Sequence, residues 1–268
     1  MPLHLIIQYC NDARPPRQAE YDECVRRNLD NAHIAAVHNF VEAQTNVPEA
    51  IRSHPKYREH TLPRWMTYRD AFEFANKNLA GEIVCIANLD IFLDPSSPWD
   101  QVGQVLDANI VLCLSRIEFD PAGAPFKDPG FDKMAFANSQ DAWVFRAPLD
   151  VPECDFELGT LGCDNAIAER IKRTGRIPVN LADRFRLFHY DRVRGKLFAN
   201  QAEVHAAERA RRADRPHPHP ERGGQYLVPN MDQLKSVDEI LNSLKVSDLQ
   251  RYMVICDVLS HFIKIGNQ

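Results

Sequence analysis

Short apolar runs alternate with amphipathic segments over the first third of the chain. Residues 3–9 form a continuous apolar run, which is typical of a strand buried on both faces. Residues 18–31 carry apolar positions at helical spacing among charged ones, and residues 34–41 form a second apolar run. A helix over residues 67–79 and a strongly apolar strand over residues 82–86 follow. This order predicts a parallel sheet with right-handed crossovers.

The second of these helices carries clear boundary signals. Thr67 is its expected N-cap, Asp70 occupies the third helical position, and Gly81 ends it. The polar stretch before this helix is expected to be an excursion over the surface, because it contains the three prolines Pro48, Pro55 and Pro63.

The second half of the chain mixes strands and helices less regularly. The pattern predicts strands over residues 109–114 and 142–145, a helix over residues 164–174, and extended pieces over residues 177–180 and 186–190. Three parts follow from the changes in composition along the chain. They are a main domain over residues 1–200, a flexible basic loop rich in proline and histidine over residues 201–229, and a helical segment over residues 230–268.

Composition narrows the classes of function. The 268 residues carry a net charge of −5, which gives no support to nucleic-acid binding. No apolar run reaches the length of a membrane span, and the amino terminus is typical of a first strand and not of a signal peptide. The seven scattered cysteines favour a reduced, cytoplasmic protein. For the helical segment over residues 230–268, dimerisation and docking at the inner membrane surface both stay open.

Two aspartates directly follow the most apolar strand. Asp90 and Asp94 lie in residues 88–94, and ligands of open α/β sheets bind beyond the carboxyl ends of the strands. A buried carboxylate needs a partner, and hard oxygen ligands suit Mg²⁺ or Mn²⁺. The alternative is that Asp90 caps a turn and Asp94 caps the next helix, around residues 95–97. We interpret Asp90 as a metal ligand and Asp94 as a cap.

A glycine-containing turn leads into the helix predicted from residue 164. Gly162 allows the backbone to approach a ligand closely, and the start of a helix favours an anion. Asp164 is a candidate general base or acceptor for a substrate hydroxyl, with Gly162 and Asn165 as substrate contacts. Alternatively, Asp164 is an N-cap and nothing more.

A histidine precedes a cationic stretch near residue 190. His189 is a candidate metal ligand, and a metal-bound diphosphate requires cations such as those of Arg192, Arg194 and Lys196. A lone histidine is otherwise more often structural.

A polar cluster precedes the strand over residues 142–145. Gln140, Asp141 and Trp143 either line a sugar pocket or belong to an ordinary turn. Near the second helix, Arg69 reaches a nucleotide or pairs at the surface. Arg116 and Glu118 are weaker candidates for lining a sugar pocket, like the polar cluster before residue 142.

Taken in order, these motifs resemble those of nucleotide-sugar-dependent glycosyltransferases of the GT-A fold. In that family a strand ends in an Asp-x-Asp-like motif whose last aspartate binds the metal. The matching triplet here is Asn88, Leu89 and Asp90, with asparagine in the first position. Asp164 and His189 stand where the family places an acidic residue at a helix start and a histidine on the metal. The resemblance covers about residues 1–200.

The resemblance implies an α/β fold with a mixed, mainly parallel GT-A-like sheet flanked by helices, and a C-terminal helical appendage. It implies Mn²⁺ or Mg²⁺ on Asp90 and His189, and an NDP-sugar donor (UDP or GDP) contacted by Asn88, Asp90, Arg69, Arg192, Arg194 and Lys196. It further implies catalytic roles for Asp164 and Asp141, sugar contacts from Gln140, Trp143, Gly162 and Asn165, and a glycan or other hydroxyl acceptor.

Two rival functions stay open. A nucleotidyltransferase that makes NDP-sugars usually has a glycine-rich basic loop after the first strand, and residues 10–17 contain no glycine. The second rival function is that of a non-catalytic carbohydrate- or partner-binding protein with a degenerate acidic motif.

Overall fold

The protein was analysed as a computed structural model that describes residues 2–107, 109–119, 121, 139–160, 162–192 and 228. The strands are β1 (Leu3–Gln8), β2 (Ile34–Glu42), β3 (Tyr57–Leu62), β4 (Ile83–Ala87), β5 (Ile91–Leu93), β6 (Ile110–Leu114), β7 (Ile117–Glu118), β8 (Ala142–Arg146), β9 (Ile177–Val179) and β10 (Leu187–His189). The helices are α1 (Pro15–Asp30), α2 (Glu49–Arg52), α3 (Tyr68–Asn78), α4 (Val102–Leu106) and α5 (Cys163–Arg173).

Seven strands form the central sheet, in the order β3–β2–β1–β4–β8–β6–β9. The first four of these are parallel to one another, β8 is antiparallel to both of its neighbours, and β9 is parallel to β6. Helices pack on both faces of this sheet. The predicted class, an α/β fold with a mixed and mainly parallel sheet flanked by helices, is confirmed.

The reversed strand β8 changes what the sheet edge can present. Its first residue, Ala142, pairs with Ala87 at the end of β4 and with Leu114 at the end of β6. The residue just before β8 therefore lies beside the residues just after β4. The backbone nitrogen of Asn88 donates to the carbonyl of Asp141 at 3.0 Å.

Apolar side chains cover the two faces of the sheet separately. Leu5 and Ile7 of β1 pack with Val25 and Leu29 on the face covered by α1. Residues of the opposite face, Ile6 among them, pack against α3 and α5. Alternate positions of one strand thus serve both cores, which explains why β1 reads as a continuous apolar run.

The helix boundaries follow local chemistry. Thr67 caps α3 and Asp70 reciprocates from the third helical position, so the predicted capping box is confirmed. Helix α1 begins at Pro15, three residues before the predicted start. Proline suits the first turn of a helix, where its missing N–H leaves no hydrogen bond unmade.

The polar stretch between β2 and α3, predicted to be an excursion over the surface, contains regular structure that the sequence pattern did not indicate. It contains the short helix α2 and the edge strand β3, which pairs in parallel with β2. Only Tyr57 of β3 is buried. An edge strand with one buried residue carries no apolar run, and its flanking Pro55 and Pro63 lie just outside the paired residues.

A second, three-stranded sheet has the order β5–β10–β7. Strand β10 is antiparallel to β5, with His189 opposite Ile91, and parallel to β7, with His189 opposite Glu118. Asp94, just after β5, accepts from the backbone and hydroxyl of Ser96. Asp94 therefore caps a turn and not the predicted helix around residues 95–97, because the next helical turn begins at Trp99 with Pro98 as its N-cap.

Several predicted features lie outside the described residues. These are the basic loop over residues 201–229 apart from the buried Val228, the helical segment over residues 230–268, and the cationic residues Arg194 and Lys196. Within the part of the chain that is described, no helix combines the length and the apolar character needed to cross a bilayer.

Candidate active site

A cavity of about 220 Å³ opens where β1 and β4 end. It is lined by residues from both halves of the chain, namely Gln8, Cys10, Arg17, Tyr21, Trp65, Asn88, Leu89, Asp90, Arg116, Asp141, Leu158, Gly159, Thr160, Gly162, Asp164 and His189. Predicted site residues Asn88, Asp90, Asp141, Gly162, Asp164 and His189 are therefore brought together at the carboxyl ends of parallel strands, where α/β sheets bind ligands.

The two predicted metal ligands meet although they lie 99 positions apart in the chain. His189 Nε2 is 3.2 Å from Asp90 Oδ2, and the backbone nitrogen of Tyr190 donates to the carbonyl of Asp90 at 2.9 Å. The pairing of β10 with β5 produces this contact, because it brings the residues that flank both strands side by side.

Asp191 completes a group of three potential ligands. One ligand atom from each of Asp90, His189 and Asp191 lies within 4.8 Å of the other two. The sequence reasoning missed Asp191. A signal was present, since residues two apart in an extended segment point to the same side, and His189 was already a candidate.

A buried arginine from α1 reaches the same group. Arg17 forms ion pairs with Asp90, with Glu20 at 2.8 Å and with Asp191 at 3.2 Å, and donates to the carbonyl of Tyr190 at 2.6 Å. Its side chain is 2% exposed. Burial lowers the pKa of Arg17, but the neighbouring carboxylates raise it by a larger amount. The guanidinium is therefore a permanent cation in the cavity wall. Sequence reasoning missed this residue as well.

Glu118 fixes the other side of the imidazole. His189 Nδ1 donates to Glu118 Oε2 at 2.8 Å. Burial and the nearby Arg116 lower the pKa of His189, yet Asp90 and Glu118 outweigh them and raise it to about 9. The carboxylate holds the proton on Nδ1, so Nε2 is the nitrogen that faces Asp90 and Asp191.

Asp141, a predicted catalytic residue, is buried and firmly held. Arg116 Nη1 donates to its two carboxylate oxygens at 2.9 and 2.8 Å, and Asn88 Nδ2 donates at 3.0 Å. Arg116 also bonds to Glu118 at 3.0 Å. A continuous chain of charged contacts therefore runs from Asp141 to His189.

Asp164 is the second residue of α5 and not its N-cap. The N-cap is Gly162, at φ 81°, a left-handed conformation that suits glycine. Burial, followed by the charge of Asp141, raises the pKa of Asp164 to about 7. The carboxyl group thus exchanges its proton near neutrality.

Four predicted ligand-binding residues do not line the cavity. Trp143 is fully buried against Tyr68, and Gln140 is buried and supplies a backbone hydrogen bond to Asp164. Asn165 lies in the first turn of α5, away from the cavity lining. Arg69 is at the surface, 3.9 Å from Asp155. In the sequence these residues stand next to buried ones, so the pattern alone does not tell which of the side chains face the cavity.

Of the predicted cationic loop, the structure describes only Arg192. Arg192 is exposed, and its backbone nitrogen donates to Glu20 Oε1 at 3.0 Å.

Comparison with known proteins gives only distant structural likeness. No protein-family profile matches the chain, and no curated protein matches it in sequence. A mannosyltransferase from Pyrobaculum calidifontis, in complex with GDP-Man and Mn²⁺, is similar with 15% identity and a TM-score of 0.48. That similarity covers 81% of this chain and 66% of the mannosyltransferase, just under two thirds of its length.

Two further solved structures are similar over most of their own lengths. A candidate nucleotide-diphospho-sugar transferase from Desulfovibrio desulfuricans G20 has 13% identity and a TM-score of 0.38, covering 79% of this chain and 95% of that one. A 4-diphosphocytidyl-2C-methyl-D-erythritol synthase has 10% identity and a TM-score of 0.37, covering 78% and 98%. Likeness at this level does not assign a reaction, so the functional proposal rests on the residues of the cavity.

Proposed function

We propose that this protein is a metal-dependent glycosyltransferase that moves a sugar from a UDP- or GDP-sugar to a hydroxyl group of a glycan or similar acceptor. The observation that carries the proposal is a potential metal-binding group, two of whose three residues line the cavity, together with a carboxyl group in the same cavity whose pKa is raised to about 7. The former is Asp90, His189 and Asp191, and the latter is Asp164.

The donor set fits the proposed ion. One imidazole nitrogen and two carboxylates suit Mn²⁺, and Mg²⁺ accepts carboxylates with water. The Nδ1 bond to Glu118 directs His189 Nε2 toward the two aspartates. When bound, the ion supplies a Lewis acid for the negative charge of a leaving diphosphate. Arg192, Arg194 and Lys196 follow His189 in the sequence and are the proposed cations for the same phosphates.

Asp164 is the proposed base for the acceptor hydroxyl. A pKa of about 7 leaves a large share of the carboxyl group ionised at neutral pH, while keeping it basic enough to take a proton. Asp141 stays anchored by Arg116 and Asn88, and its negative charge contributes to the raised pKa of Asp164. A base at this position corresponds to inversion at the anomeric carbon.

Thermal unfolding with Mn²⁺ and a panel of nucleotide diphosphates and NDP-sugars tests the binding part of the proposal. We expect UDP or GDP to raise the Tm only when Mn²⁺ is present, and Asp90→Asn to abolish that shift. Asp107→Asn is the matched control, because Asp107 is exposed, is not part of the metal group, and pairs with Arg146. The absence of a shift with every nucleotide would overturn the proposal.

Asp164→Asn tests the catalytic part. We expect turnover to fall about 10²–10⁴-fold while donor binding is kept, and kcat/KM of the wild type to rise with pH through about 7. Because the folded pKa is raised, the stability that protonated Asp164 contributes is complete below pH 3.8 and is lost as the pH rises through about 7. Asp164→Asn should therefore stabilise the fold above pH 7 and not at pH 4, which chemical denaturation at the two pH values measures. An unchanged turnover number would remove Asp164 from the mechanism.

A further inference from the structure

Gln8 places a buried amide at the wall of the cavity. It is the last residue of β1, is 4% exposed, and lines the cavity together with Trp65 and Leu158. Its Oε1 accepts a hydrogen bond from the backbone nitrogen of Met66 at 2.7 Å. This bond fixes which way round the amide lies, because a backbone N–H needs the oxygen and not the nitrogen.

The nitrogen of the same amide has no acceptor within the part of the chain that the structure describes. No atom there accepts a hydrogen bond from Gln8 Nε2, although the nitrogen is buried. An unmade hydrogen bond of this kind costs about 1–3 kcal/mol, and folded proteins seldom keep one without a reason. Since the side chain lies in the wall of a cavity, a bound molecule is a source of the missing acceptor.

We propose that Gln8 and Trp65 form the subsite for the uncharged part of the nucleotide-sugar, with Gln8 Nε2 donating to a carbonyl or hydroxyl oxygen of that ligand. This inference rests on the proposed function and adds the means by which the donor is chosen. The end of the cavity with Asp90 and His189, which would hold the proposed metal ion, remains for the diphosphate.

Trp65 supplies the flat surface that such a subsite needs. Its indole Nε1 donates to the carbonyl of Leu158 at 3.4 Å, which restrains the ring at the cavity wall. Aromatic faces at cavity walls are suited to stacking on a nucleobase or on the apolar face of a sugar. The apolar side chains of Leu89 and Leu158 add further uncharged lining.

A donor-only group selects among ligands. The free side of the amide offers N–H groups and no acceptor, so it matches an exocyclic carbonyl and opposes an exocyclic amine. If the ligand group is the nucleobase, uracil and guanine nucleotides should bind better than adenine nucleotides. If the group is a sugar hydroxyl, the preference should appear only with the complete NDP-sugar.

Gln8→Glu is the sharpest variant for this inference. Glutamate has nearly the same shape and still offers an oxygen to Met66, but it replaces the Nε2 donor by a second acceptor. Isothermal titration with Mn²⁺ and each of UDP, GDP, ADP and UDP-glucose measures the effect on the full-length protein. We expect affinity for the preferred ligand to fall about tenfold or more. A loss of affinity that is already seen with UDP or GDP identifies the nucleobase as the partner of Gln8. A loss of affinity that is seen only with UDP-glucose identifies the sugar.

Asn39→Asp is the matched control. Asn39 on the neighbouring strand β2 is fully buried and donates to the Tyr57 hydroxyl at 2.9 Å, but it does not line the cavity. It should lower the Tm in the same way as any buried amide-to-acid change and leave the Kd unaltered. Gln8→Met, which removes the donor without adding charge, should also weaken binding and serves if Gln8→Glu does not fold.

The outcomes separate the two proposals. Wild-type protein that binds none of the four ligands overturns the proposed function and this inference with it. Wild-type protein that binds UDP or GDP, together with folded Gln8 variants of unchanged Kd, overturns this inference alone.

Discussion

Buried and half-buried histidines occur in two regions of this molecule, and their environments give them different charge states. At the cavity, His189 lies between carboxylates, and its pKa is raised to about 9. On the sheet, His4, His38 and His60 lie in a row across β1, β2 and β3, and the pKa of His38 is lowered to about 3. One histidine is a cation at neutral pH, and the others are neutral.

The row on the sheet is built from imidazoles that bond to one another. His4 Nδ1 is 3.1 Å from His38 Nε2, and His38 Nδ1 is 3.2 Å from His60 Nε2. The rings stack at 5.4 Å between centroids, and Phe74 of α3 packs on them at 5.0 Å from His38 and 4.5 Å from His60. Burial comes first among the causes that lower the pKa of His38, followed by the charges that its neighbours would carry.

Burial lowers the pKa in both regions, so the neighbours decide the outcome. Carboxylates within hydrogen-bond distance reverse the effect at His189, whereas the other imidazoles and Arg58 reinforce it at His38. The cavity wall is therefore stabilised by ion pairs, whereas the histidine row on the sheet is stable only while its imidazoles are neutral. Single substitutions in each region can test this difference.

The largest expected effect is that of Arg17→Met at the cavity wall. The change leaves Glu20, Asp90 and Asp191 without their shared cation, and breaking a buried ion pair in this way costs about 3–5 kcal/mol. Urea unfolding at pH 7 measures the free energy of unfolding. Arg26→Met, on the exposed side of α1 and paired with Glu23, should cost less than about 1 kcal/mol. Equal effects of the two substitutions would contradict a charge-held wall.

Glu118→Gln should have an intermediate effect, centred on His189. Glutamine still accepts from Nδ1 but carries no charge, so the pKa of His189 should fall, which an NMR titration of its ring protons measures. Loss of this oriented carboxylate should also weaken Mn²⁺ binding about 10–100-fold.

The sign of the pH dependence follows from the raised pKa. Protonated His189 contributes stability that is complete below pH 6.5 and is lost as the pH rises through about 9. The stability difference between wild type and Glu118→Gln should therefore be largest at pH 6 and small at pH 10. Glu73→Gln, an exposed change on α3, should match the wild type at both values. A difference that grows with pH would refute the assignment.

The smallest effect is expected for His38→Phe on the sheet. A ring of similar size keeps the packing against Phe74, so the cost at pH 7 should stay below about 1.5 kcal/mol. Because the folded pKa of His38 is lowered, its contribution is present above pH 6.5 and is lost as the pH falls toward about 3. The variant should therefore lose less stability than the wild type between pH 6.5 and 4, as denaturation curves would record. His33→Phe, outside the row, should lose stability with falling pH as the wild type does. The same behaviour in His38→Phe would contradict a role for the row.

Continuous apolar runs allowed most of the central sheet to be predicted. β1, β2, β4, β6 and β8 were all located, because each is largely buried on both faces and most of its residues are apolar. Strand β3 was missed because backbone pairing with β2, and not side-chain burial, holds it in place. A one-dimensional pattern does not record such pairing.

The same limit applies to the site. Asp90, Asp141 and Asp164 stood out because each flanks an apolar element, and His189 because cations follow it. Arg17 gave no such signal, since it lies among other charged residues of an ordinary amphipathic helix. Its role depends on contact with Tyr190, 173 positions away. Sequence reasoning found the residues at element ends and missed those defined by distant partners.

The small sheet of β5, β10 and β7 also sets an order for the folding of this chain. It joins residues near positions 92, 117 and 188, so its two strand pairs, β5 with β10 and β7 with β10, form only after the long segment between each pair has closed. A nascent chain from which β10 has not yet emerged contains Arg17 and Asp90 but lacks His189, Asp191 and the Tyr190 carbonyl. Assembly of the cavity is thus a late step in folding, completed by a segment that leaves the ribosome well after the strands it joins.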